Sequence, residues 1–217
     1  MININQVDSL EKLEKKTWRV NFEDGTFEIY LGIIILSFAP QLSLFDILPI
    51  PINVLLGPII IGFALALFLL SKKYLIKPRI GIVKYGRKRK KRKQKTVFIL
   101  TINMLLLFII FLLKPSGFWD DLNVPWFLEI LFIQLIFVTL PLCLVAYYLQ
   151  YSRLYIIAVL MGSSIFIAVL SSTFIIPPFN YLFVFLIIGG LIILMGMITL
   201  FKFLKKYPKQ KEEADKL

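Results

Sequence analysis

The chain contains no histidine, and its one cysteine is Cys143. An intrachain disulfide is therefore impossible, and a histidine-based metal site or a Ser-His or Cys-His catalytic pair is excluded. Acidic residues are also scarce, 13 against 25 lysines and arginines. Missing too is any polar stretch long enough to fold as a soluble catalytic domain. Of the 217 residues 59% are hydrophobic, with a mean hydropathy of +0.82. One water-soluble core of this size could not hide so much apolar material, so the composition is that of an integral membrane protein.

The bilayer core takes about 20 apolar residues per helical crossing. Six runs meet that length, at 28–48, 52–70, 96–113, 126–149, 154–176 and 181–204. None has the period-two alternation of a membrane β-barrel. The fold expected is all-α: a polytopic transmembrane helical bundle of about six spans. Pro40, Pro49, Pro51 and Pro58 crowd the first two runs, and Gln41 and Ser43 interrupt the first, so a shallow or kinked hairpin there is the alternative. The chain then divides into a lead at 1–27, a transmembrane domain at 28–204 and a charged tail at 205–217.

The net charge of +12 is local. From Ser71 to Lys95 there are 13 basic residues and no acidic one, which leaves 12 basic against 13 acidic elsewhere. Positive loops stay on the cytoplasmic side, so the 71–95 loop is expected inside a cell membrane. With six spans the N-terminus, the turn at 150–153 and the C-terminal tail are inside with it. The opposite loop carries Asp120 and Asp121 against Lys114. Phe118, Trp119 and Trp126 suit the outer aromatic belt, and Tyr147, Tyr148, Tyr151 and Tyr155 the inner one.

The lead is polar and slightly acidic, unlike a secretory signal, so the first span is expected to be retained. Val7, Leu10 and Leu13 recur at helical spacing, with Asp8 and Glu11 placed as a capping box, which predicts a short amphipathic N-terminal helix. Val20 to Ile29 alternates around Asp24-Gly25, a turn signal between short extended arms.

The strongest feature is the unbroken run Arg87, Lys88, Arg89, Lys90, Lys91, Arg92, Lys93, followed by Lys95. Such a run repels itself and is expected to be extended and solvated unless something acidic neutralises it. Orientation alone would account for part of it. Anchoring would not, because six spanning helices already insert irreversibly. The excess points to a ligand: anionic membrane lipid first, an acidic protein partner second. Nucleic acid is the least expected, since the run lacks interleaved aromatics and a recognisable binding fold.

Ahead of the run, Pro78-Arg79-Ile80-Gly81-Ile82-Val83-Lys84-Tyr85 alternates like a short strand or an extended surface segment. With Trp18, Phe22, Glu23, Asp24 and Gly25 it supplies two elements, F-E-D-G before the first span and P-R-x-G-x-V-K-[F/Y] after the second. These elements resemble a family of uncharacterised prokaryotic multi-span membrane proteins, and the resemblance implies topology without an activity. Both elements are expected on the cytoplasmic face with opposite charge. Glu23 or Asp24 is thus a candidate partner for Arg79 or Lys84, and the lead residues form a candidate docking surface together with Trp18 and Phe22.

Asp46 and Glu129 lie near span ends, and no charged residue falls near a midplane. Asn53, Asn103 and Gln134 could line a polar path or, more simply, hydrogen-bond between helices. The glycines and serines of the spans, Gly57, Gly62, Gly162, Gly189, Gly190 and Gly196 among them, suit close helix packing. No catalytic, cofactor or metal residues are expected. A non-catalytic membrane subunit or scaffold, alone or as a homo-oligomer, fits best; a small transporter or channel component is the alternative.

Overall fold

The computed structural model describes residues 24–44, 49–80, 87–113 and 125–208, and these are helical apart from short turns, with no strand among them. Helix α1 covers Thr26–Ser43. Helix α2 runs over 50–80: Ile50–Ser71 is α-helical, Lys72–Ile76 forms a π turn, and Lys77–Ile80 closes the helix. Helix α3 is Arg87–Leu113. Helix α4, at 126–149, likewise joins Trp126–Gln134 to Leu140–Leu149 through a π turn at Leu135–Thr139. Helices α5 and α6 are Arg153–Ser171 and Phe179–Lys206.

Five of these helices are long and apolar enough to cross a membrane. The other, α3, carries a basic beginning and then the apolar run from Thr96 to Leu113. The 18 residues of α1 rise about 27 Å, close to the hydrocarbon thickness of about 30 Å. Burial has the polarity a bilayer demands. Phe63 and Ile59 are each 66% exposed, whereas Ser37, Gln134, Ser164 and Asn180 are buried. The chain is a multi-pass integral membrane protein with apolar flanks and polar seams.

The helices form two compact units, one drawn from 1–85 and 189–217, the other from 86–188. In the first unit, α1 and the later part of α6 pack along a glycine seam. Gly25 faces the backbone of Gly196 and Leu200, and Gly32 faces Gly189 and Ile193. Each pair of glycines is seven positions apart, two helical turns, and the order reverses between the helices, so the contact is antiparallel. A Cβ on Gly196 would stand 2.9 Å from Gly25 O, and one on Gly32 3.0 Å from Gly189 O. Backbones this close gain dispersion contacts, the main source of helix affinity in lipid. Farther along α1, Gln41 lies against Gly57 of α2, so the polar interruption of the first span is accommodated between helices.

In the second unit, polar side chains stitch helices at the α4 π turn. Asn103 Nδ2 donates to Phe137 O at 3.0 Å, inside that turn. Gln134 Oε1 accepts from the backbone N–H of Phe166 at 3.0 Å, and Thr139 packs onto Gly162. A π turn widens the helix by one residue and disturbs the carbonyl ladder; here the Asn103 amide donates to one of its carbonyls. After α4 the chain reverses through Gln150 at φ 57°, with Tyr151 N donating to Ala146 O at 3.0 Å.

Three local expectations are corrected. Thr26 to Ile29 is the first turn of α1 rather than the arm of an extended hairpin, because the Asp24 carboxylate caps that turn. Pro78 to Ile80 is helical rather than extended, since α2 continues through its π turn. The backbone of 87–95 is helical rather than an extended loop, being continuous with the apolar part of α3. The expected amphipathic helix in the lead, the strand at 81–85, Asp46 and positions 209–217 of the tail lie outside the described residues.

Candidate functional site

The charged groups of the first unit gather at one end, where α1 begins and α2 and α6 finish. Gly25 at φ 79° turns the chain into α1, and Asp24 folds back over the opening turn. Asp24 Oδ1 accepts from Thr26 N at 3.0 Å and from Thr26 Oγ1 at 2.7 Å. These bonds satisfy two donors, one of them among the orphan N–H groups of a helix start, and place negative charge at the positive end of the helix dipole. Glu28, on the same turn, is fully buried.

Asp24 Oδ2 pairs with Lys72 Nζ. The carboxylate side chain is 0% exposed and the lysine 19%, so this is an interior ion pair. Lys72 opens the π turn of α2, and its ammonium also sits 5.7 Å from the centroid of the Phe68 ring. Phe68 in turn stacks on Tyr30 at 5.4 Å and meets Phe27 edge-on at 6.3 Å. Aromatic packing and charge therefore fasten α1 to α2 at one point.

Arg79 acts elsewhere. Its Nη1 donates to Leu204 O at 3.2 Å and Tyr207 O at 2.8 Å, capping the C-terminal carbonyls of α6. A cation suits that end of a helix dipole. Of the expected pairings of Glu23 or Asp24 with Arg79 or Lys84, that of Asp24 with Arg79 is replaced by two contacts, Asp24 with Lys72 and Arg79 with the end of α6; those through Glu23 or Lys84 lie outside the described residues. Asp24 and Gly25 are buried rather than displayed on a docking surface, because one caps α1 and the other packs against α6.

Below the ion pair, a cavity of about 160 Å³ lies among α1, α2 and α6. Ile29, Ile33, Ala64, Leu67 and Leu200 make its apolar wall, and Thr26 and Ser71 bring hydroxyls to its charged end. Tyr30 and Phe68 complete the lining.

Of the other expected site residues, Trp18, Phe22, Glu23 and Lys84 lie outside the described residues, as do the side chains of Arg87, Lys88, Arg89 and Lys90. Lys91, Lys93 and Lys95 are exposed on α3 and Arg92 is half-buried. Lys95 Nζ lies 5.8 Å from the Tyr148 ring centroid, a cation–π approach to α4. Among the described residues no three cysteine, aspartate or glutamate side chains gather into a metal-holding group.

Sequence reasoning passed over Lys72, Thr26 and Glu28 as a set. Asp24 followed by Thr26 and Glu28 ahead of an apolar run is a helix-start signature, and it was available beside the hairpin reading. Comparison of the chain with protein-family models, with curated proteins and with solved structures finds no match.

Proposed function

We propose that this protein is a non-catalytic membrane subunit or scaffold whose basic segment 87–95 engages anionic lipid headgroups, with an acidic protein partner as the second ligand of the same segment. The observation that carries the reading is the exposure of Lys91, Lys93 and Lys95 on the opening turns of a helix that continues into an apolar run. Helix starts favour acidic side chains and disfavour cations, and like charges one turn apart repel. A helix that begins with Arg87 to Lys93 is doubly unfavourable in isolation, and anions around it relieve both penalties.

Helical geometry also sets the reach. Residues 87–95 rise about 12 Å, against a headgroup layer of about 5–8 Å on each side of the hydrocarbon. A basic collar of that height crosses the headgroups and stands beyond them, where phosphates and a protein partner are both accessible. Of the amides named as lining a polar path, Asn103 and Gln134 are engaged with backbone groups of neighbouring helices and the side chain of Asn53 lies outside the described residues, which supports the subunit reading over the transporter one. The resemblance to uncharacterised prokaryotic multi-span proteins belongs to the same proposal and bears on topology alone.

The test is lipid retention in nanodiscs of mixed anionic and zwitterionic lipid, with Arg87 to Lys93 replaced by glutamine. Loss of anionic enrichment is expected, and unchanged enrichment refutes the lipid reading. A low-salt extraction followed by a high-salt wash examines the protein partner; a stoichiometric protein released by salt is the expected result for that ligand.

A further inference from the structure

The cavity of the first unit has the form of an acyl-chain slot. Its lining follows α1 from Thr26 to Ile33 and α2 from Ala64 to Ser71, a separation of seven positions on each helix. That is about 10.5 Å of rise, parallel to the spans. Hydroxyls stand at one end, hydrocarbon at the other. The hydroxyl end is also the charged end, because Lys72 follows Ser71 and its ammonium lies 5.7 Å from the ring of Phe68, a wall residue.

An apolar slot by itself selects nothing in a bilayer, since lipid tails are as apolar as leucine. Selection has to come from charge at the mouth. Asp24 is occupied by Lys72, and both it and Glu28 are fully buried. Lys73, Lys77, Lys202, Lys205 and Lys206 are exposed at the same end of the unit. Among the described residues the exposed charges there are all positive, and a phosphate receives charge-assisted hydrogen bonds from such ammonium groups.

We propose that the slot among α1, α2 and α6 holds one acyl chain of an anionic phospholipid, with its phosphate at the mouth among the exposed lysines of that end. The occupant belongs to the first unit, and its site uses no residue of segment 87–95. Small Ala64, 1% exposed, forms part of the slot wall and leaves the room that the chain fills.

Native mass spectrometry of the full chain, reconstituted with equal phosphatidylglycerol and phosphatidylcholine and then washed with detergent, tests this. One retained phosphatidylglycerol per chain is expected, at least fivefold over phosphatidylcholine. Ala64→Phe fills the slot and lowers that occupancy at least fivefold, while neutralising Arg87 to Lys93 leaves it in place. Equal retention of the two lipids, undiminished retention in Ala64→Phe, or loss only on neutralising Arg87 to Lys93 overturns the proposal. If Ala64→Phe does not fold, photo-crosslinking of wild type with diazirine-acyl phosphatidylglycerol decides: adducts on Ile33 and Leu67 support the site, and their absence there overturns it.

Discussion

Lys72 is the counter-charge of the buried Asp24 carboxylate, and that makes the single and double substitutions unequal. Lys72→Met leaves a buried carboxylate whose remaining partners are Thr26 N and Oγ1. Breaking one side of a buried pair costs about 3–5 kcal/mol, whereas removing both charges is often neutral. Thermal unfolding in detergent should therefore show a large loss for Lys72→Met and recovery of most of it in Asp24→Asn/Lys72→Met; additive losses would refute the pairing. Gln150 offers the opposite case. Its φ of 57° places a side chain in the left-handed region that glycine occupies without penalty, so Gln150→Gly should raise stability by about 1 kcal/mol in the same assay.

At the scale of elements, the glycine seam gives α1 and α6 a register that a single methyl group tests. Gly196→Ala should separate the helices and cost about 1–3 kcal/mol, because a Cβ there stands 2.8 Å from Ile29 N. Its near neighbour Gly190 meets nothing within 4 Å, and Gly190→Ala should instead stabilise by up to about 1 kcal/mol through helix propensity. Equal effects would refute the seam. The helices themselves were legible in the sequence: the run at 52–70 became Ile50–Ser71, and that at 181–204 became Phe179–Lys206, since bilayer thickness fixes the length of an apolar stretch. The charged end was not. Asp-Gly marks a hairpin turn and a left-handed helix entrance equally well; Asp24 with Thr26 and Glu28 favours the second, but the packing of Gly25 on Gly196, far along the chain, has no local signal. The π turns were equally hidden, because one extra residue in a turn alters neither composition nor hydropathy, yet it re-aims every side chain beyond it.

For the molecule as a whole, the reading that follows from charge is that the basic start of α3 and the lysine-rich end of α6 face the cytoplasm. With Cys143 replaced by alanine, single cysteines at Lys91 and Lys206 should both resist a membrane-impermeant maleimide in intact cells and react after permeabilisation. Labelling of either from outside would overturn that orientation. The same antiparallel seam has a temporal meaning as well. Gly25 and Gly32 are made early, and Gly189 and Gly196 more than 150 residues later. At about 5–20 residues per second of synthesis, α1 waits on the order of ten seconds for the surface it is shaped to meet. Its buried acidic turn and bare glycine face must be sheltered by the insertion machinery through that interval, and a chain halted before α6 would leave α1 an orphan for quality control to find.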